Sequence, residues 1–157
     1  MPERTIEELK TNAETQDHIN LVRVLLRKFA VELLKRGETH DLSKFSDEEV
    51  KTFTEYTPKL KTTTYGSDDY NRQLAEMQVA LDHHYGNNRH HPEHFENGIK
   101  GMTLVDLVEM FIDWSAATKR HSDGNIMRSI ELNEKRFSIP PELSEIFRNT
   151  ARDFTSE

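Results

Sequence analysis

Apolar residues in the first third of the chain recur with a helical period. Ile19, Val22, Leu25, Leu26, Phe29, Ala30, Leu33 and Leu34 fall on one face, and Gly37 follows, so the spacing predicts a helix over 15–36 ended by that glycine. SDEEVKTFTEY places Ser46 and Glu49 in capping-box spacing, which predicts a second helix stopped by Pro58. KLKTTTYG, residues 59–66, reads as a polar connection. Ser67 then caps a third helix that runs through Leu74, Met77 and Leu81 to Gly86. GNNRHHPEHFENGIKG is too rich in Gly, Asn and His for a regular element and reads as a loop, with one short turn begun by Pro92. Thr103 and Asp106 mark the start of a fourth helix reaching about Lys119, and NIMRSIELNEKRF and PPELSEIFRNTARDF read as two more. With no β alternation, internal repeat or linker, the expected fold class is all-α, a single-domain helical bundle of about six helices over 1–157. The metal-site core is expected at about 15–120, with the helices of about 125–154 as cover or oligomer contact.

Composition narrows the function. A chain of 157 residues fits one ordinary domain. A net charge of -7 with scattered basic residues argues against nucleic acid as the main partner. With no cysteine, disulfides and thiolate metal sites are excluded. No apolar run approaches a membrane span, and MPERTIEELK lacks the apolar core of a signal peptide. A cytoplasmic protein without a membrane partner is expected, in the host cytoplasm if the gene is a phage's.

Histidine changes the picture further. There are eight, at 18, 40, 83, 84, 90, 91, 94 and 121. His18 points along the apolar face of the first helix, so it is expected to be directed inward. His84 repeats this on the third helix, following Met77 by seven and Leu81 by three, whereas His83 falls on the flank and is the weaker candidate. HDLSKF puts His40 beside Asp41 between two helices. The fourth helix has no Lys or Arg from Met102 through Thr118, and its acids Asp106, Glu109 and Asp113 form one stripe. That stripe either faces water or is buried against a cation, because buried carboxylates need one or need donors. Imidazoles and carboxylates converging from several helices are the ligands of a first-row divalent metal, and a site of one or two ions (Mn, Fe, Co, Ni or Zn) is expected.

The order His18, His40-Asp41, Asp113 resembles the HD superfamily of metal-dependent phosphohydrolases, whose helical bundle binds metal through a His, a later His-Asp pair and a distant Asp. IDWSAAT is similar to the Asp-bearing helix of nucleotidase-like members. Two-metal members have further histidines between, and on that resemblance His84 with His90 or His91 would fill these positions. HDLSK resembles the His-Asp-x-x-Lys form of the cyclic-dinucleotide phosphodiesterase branch, which makes Lys44 a phosphate contact. Over roughly 15–120, HDLSKFS, HHYGNNRHHPEHF and EMFIDW look most like a family of uncharacterised phage and bacterial proteins near that superfamily. Two departures stand out. Lys44 replaces the acid that follows the His-Asp pair by three in the 5'-nucleotidase branch, and HHPEHFENG lacks the Gly-Tyr-Pro element of the cyclic-dinucleotide branch.

The resemblance implies hydrolysis of a nucleotide or related small phosphate ester by metal-activated water. Asp41 would bridge ions or orient the water. Lys44 would stabilise the phosphate, with Arg72, Lys119 and Arg120 as helpers, and Glu109 would orient a histidine or act as general base. Asp106 shares that role or completes its helix's first turn, and His94 and His121 are expected outside the ligand set. Two other readings stand beside this one: an HD-type two-iron oxygenase, and a non-catalytic metal- or nucleotide-binding protein of phage origin. A homo-oligomer through the C-terminal helices is compatible with each.

Overall fold

The computed structural model describes residues 4–64, 67–120 and 124–154. Among these there are seven α-helices and no strand. The chain divides into two compact units, Met1–Glu38 and Thr39–Glu157. Among the described residues, no helix is long and apolar enough to cross a membrane.

The first unit consists of α1, Ile6–Thr39, whose last residue enters the second. It starts nine residues before the expected helix because Thr5 and Glu8 form a capping box, with the Thr5 N–H donating to Glu8 and the Glu8 N–H to the Thr5 hydroxyl. It also runs through Gly37, since a mid-helix glycine costs only about 1 kcal/mol. No residue of α1 is buried, so His18, read as inward-facing, is exposed. The helix ends where Asp41 takes a left-handed conformation at φ 59, which Asp tolerates better than most residues.

In the second unit a 3-10 turn, Leu42–Phe45, leads to α2, Val50–Thr62. Pro58 lies inside α2 rather than stopping it. Proline's own φ is helical, so the ladder loses one N–H bond there and continues. Lys59–Thr62, expected in a connection, are therefore helical, and Tyr65 and Gly66 lie outside the described residues. The expected third helix is two, α3 at Asp68–Glu76 and α4 at Gln78–Asn87. Ser67 caps α3 by accepting from the Tyr70 N–H. Met77 divides them: its ψ is -1 and its N–H reaches the Leu74 carbonyl as well as that of Gln73, a tightening of 3-10 type. Its side chain is buried and begins a stripe continued by Ala80, Leu81, His84 and Asn88.

The histidine-rich segment contains two short 3-10 turns, Pro92–His94 and Gly98–Gly101, before α5, Leu104–Thr118. Thr103 and Asp106 form the expected capping box. The core of the unit lies on the other side of α5, where Met110 and Phe111 meet Ile130, Ile139, Phe147 and Ala151. These come from α6, Ile126–Phe137, from α7, Pro141–Phe154, and from the corner between them. Ser138 at φ 50 turns that corner, and Pro141 opens α7 at a position where its missing N–H goes unused. Phe111 stacks on Phe147 at 5.7 Å between centroids, and Trp114 meets Phe147 edge-on at 5.7 Å. The C-terminal helices thus anchor α5 from behind.

Because Phe147 is 5 % exposed within this cluster, Phe147→Ala is expected to cost about 3–5 kcal/mol. Urea unfolding followed by circular dichroism should show the midpoint falling; an unchanged midpoint would mean that α7 does not hold the core.

Candidate metal centre

Asp41 sits where α1 gives way to the 3-10 turn, and its carboxylate oxygens face different surroundings. Oδ1 lies 3.3 Å from His84 Nε2 and 3.4 Å from His90 Nε2. Oδ2 accepts from Lys44 Nζ at 2.5 Å, with His40 Nε2 at 3.6 Å. Asp41, His84, His90 and His91 offer ligand atoms within 4.8 Å of one another, and so do His40, His90 and Asp113. These groups are close enough to hold a metal ion. The residues of both groups belong to the second unit.

The imidazoles are held from behind. Glu49 is fully buried; its Oε2 accepts from His84 Nδ1 at 2.9 Å and its Oε1 from His83 Nδ1 at 2.7 Å. Glu109 Oε1 accepts from His40 Nδ1 at 3.0 Å and lies 3.1 Å from His90 Nδ1. An ionised carboxylate only accepts, so it fixes the proton on Nδ1, and for His84 and His90 it leaves Nε2 with its lone pair facing the centre. Asn88 donates to the His84 carbonyl at 2.8 Å and to the Ser43 hydroxyl at 2.7 Å, tying α4 to the turn that carries Asp41. Arg89 holds the loop before His90 by a two-pronged pair with buried Asp106, at 3.0 and 3.1 Å. Asp106 therefore serves its helix's first turn and this ion pair.

Among the described residues five buried side-chain atoms make no hydrogen bond, and two of them, Asp41 Oδ1 and His90 Nε2, lie in this centre. Buried polar atoms are costly to leave unpaired, and these two face each other. His84 Nε2 and His91 Nε2 approach to 3.0 Å, which one proton or one shared cation satisfies. Three imidazoles and one carboxylate converging on unpaired atoms fit a divalent first-row ion.

The local field sets the protonation. Burial, then repulsion from His90 and His84, drives the His91 pKa down to about 2. Hydrogen bonding to Asp113 and then Glu109 pushes His40 up to about 10. For Asp41, burial acts upward but is outweighed by the His84 imidazole and the Lys44 ammonium, which hold the carboxyl well below the usual carboxylate range.

Other expected site residues are in neither group. His18 is exposed on α1 and belongs to neither group. Arg72 is exposed on α3 and bonds to Asp69 one turn earlier, while Lys119 and Arg120 are exposed after α5. Among the described residues, no burial or contact ties these three to the centre. His94 donates from Nδ1 to the Tyr85 carbonyl at 2.9 Å, outside both groups. His121 lies outside the described residues. Glu49, in capping-box spacing with Ser46, is itself the N-cap of α2 and makes no side-chain cap bond; its carboxylate accepts from two imidazoles instead. Ser43, Asn88 and Arg89 carry no periodic signal and were missed.

The sequence profile of a family of unknown function (DUF5662) matches residues 7–154. The chain belongs to this family. That match spans both groups and all seven helices, wholly or nearly so, but the DUF5662 description assigns no chemistry to them. No curated protein and no solved structure matches the chain.

The shifted histidines give the metal-free protein a pH profile. At His91, the unfolded chain takes up a proton below about 6.5 that the folded chain refuses down to about 2, so this contribution is present above 6.5 and lost on acidification. At His40, the folded chain keeps its proton to about 10, so the contribution is full below 6.5 and lost as pH rises through 10. The thermal midpoint of chelator-treated protein should peak near neutrality, with His91→Gln flattening the acid limb and His40→Asn the alkaline one. A midpoint rising steadily through pH 9 would contradict the assignment.

Proposed function

We propose that the protein is a metal-dependent phosphohydrolase acting on a nucleotide or related small phosphate ester. The observation that carries the reading is the facing pair of unpaired buried atoms, Asp41 Oδ1 and His90 Nε2, within a set completed by His84 and His91. A divalent ion supplies, when bound there, a water of lowered pKa and a Lewis acid for a phosphoryl oxygen.

The residues of the chain do the rest. An ion with three neutral imidazoles and one carboxylate keeps a net positive charge, and the Lys44 ammonium beside Asp41 adds another. Those two cationic groups favour an anionic substrate, while the carboxylates of Glu49, Glu109 and Asp113 are engaged with imidazoles. Lys44 is half-buried and also lies over the Phe53 ring at 5.2 Å, so its head is confined next to Asp41. There it neutralises charge developing on the phosphate. Asp41 would hold the ion through Oδ1 beside its bound water while Oδ2 keeps Lys44 in place, and Glu109, behind His40 and His90, holds the imidazole orientation. The resemblance of HDLSK to the HD superfamily supports the same chemistry. Manganese, iron, cobalt, nickel and zinc all suit these donors.

Protein purified without a histidine tag should carry metal, release inorganic phosphate over many turnovers from at least one member of a panel of nucleoside phosphates and an aryl phosphate, and stop when chelated. Asp41→Asn keeps the tolerance for a left-handed backbone while removing the charge, so it should lose both metal and turnover. Bound iron with oxygen consumption and no phosphate release would replace this reading with an oxygenase; metal without any turnover would replace it with a binding protein.

A further inference from the structure

The two ligand groups look like two adjacent ion sites, yet they share His90. With Nδ1 facing Glu109 at 3.1 Å, His90 has a single lone pair to give, on Nε2. Nε2 lies 3.4 Å from Asp41 Oδ1, the other unpaired buried atom, so the group with His84 and His91 has the stronger claim to it. A second ion in the remaining group would have His40 and Asp113, whose atoms are 3.5 Å apart, and would need Asp41 Oδ2 as third ligand. That oxygen is taken: Lys44 Nζ is 2.5 Å from it.

Paired metal ions lie about 3.5 to 4 Å apart and commonly share a bridging group. Here the position on the far side of the Asp41 carboxylate holds an ammonium instead. Lys44 follows Asp41 by three within the same turn, the Lys44 N–H donates to the Asp41 carbonyl at 2.9 Å, and Phe53 supports the head. The pairing is therefore built into the local backbone rather than reached by a long flexible arm. A dication cannot approach Oδ2 without displacing that charge.

We infer that the centre holds one ion, on Asp41 Oδ1, His84, His90 and His91, and that the Lys44 ammonium stands in place of a second. This rests on the metal-site reading above and deepens it: a one-ion hydrolase divides the work between a single Lewis acid and a lysine that contacts the phosphate from the opposite side of Asp41. Removing the ammonium frees Oδ2 and, with His40 and Asp113, opens a three-ligand site that the native protein does not use.

The test is the stoichiometry of manganese(II) binding, by calorimetry on metal-stripped, untagged protein and by electron paramagnetic resonance, which detects coupling between paired manganese ions. The expected result is one equivalent and no coupling in the wild type, and two equivalents with coupling in Lys44→Met, whose unbranched side chain matches the lysine stem in length without its charge. Lys44→Gln serves as a second variant, with circular dichroism to show that each is folded. Two coupled ions in the wild type would overturn the inference, as would one equivalent in both folded variants. If neither variant folds, the wild-type count alone decides between one ion and two. No manganese in any form would instead remove the metal reading beneath it.

Discussion

Carboxylates placed behind imidazoles organise this protein. Glu49, with no exposed surface, and Glu109 on α5 each take Nδ1 protons and turn Nε2 atoms inward. An imidazole without such a partner rotates freely and binds an ion or a proton indifferently; one anchored through Nδ1 offers a fixed lone pair. Most of the second unit can be read as the means of burying those acids without unfolding the chain. Glu49 is reached by two histidines from α4, and α5 presents Glu109 and Asp113 to the centre while Met110 and Phe111 lock it to the C-terminal helices. Helix α5 therefore has two working sides, one acidic and one apolar, and the Leu104, Val108 and Ile112 positions that complete its hydrophobic composition are exposed.

Backbone conformation contributes as much as packing. The left-handed turn at Asp41 costs on the order of 1–3 kcal/mol relative to ordinary backbone, and it occurs at the residue whose carboxylate joins the His84, His90 and His91 group on one oxygen and Lys44 on the other. The tight turn that follows keeps Ser43 and Lys44 beside that carboxylate, where the hydroxyl accepts from Asn88 and the ammonium reaches Oδ2. A short segment thereby carries a ligand, a cation and a structural tie to α4.

Much of this could be read from the sequence, for stated reasons. The helical class follows from periodicity, and His84 was found because it extends the stripe of Met77 and Leu81. The acidic stripe of α5 leaves two readings open in the sequence; in the structure Asp106 is buried, and half-buried Glu109 and Asp113 lie beside His40 and His90. Glu49 was illegible because a glutamate three after a serine is the signature of a capping box, and only tertiary structure reveals that imidazoles outcompete the backbone for it. Arg72, Lys119 and Arg120 carry the charge a phosphate needs, but sequence alone does not fix the direction of such exposed side chains. The boundaries failed where a single residue was trusted as a stop: neither Gly37 nor Pro58 ends its helix, and the true start of α1 was written in Thr5 and Glu8. The division between α3 and α4 had no breaker residue to announce it, since Met77 is a good helix former.

The central claim is that Asp41 Oδ1 and the Nε2 atoms of His84, His90 and His91 surround one ion. Anomalous diffraction at the absorption edge of whichever metal co-purifies with the untagged protein tests it most directly. The account predicts a single peak at about 2.0–2.3 Å from those four atoms, with Lys44 still against Asp41 Oδ2. A peak coordinated by His40 and Asp113 without His84 and His91, or a protein that crystallises with no metal after incubation with manganese, iron and zinc, would contradict it.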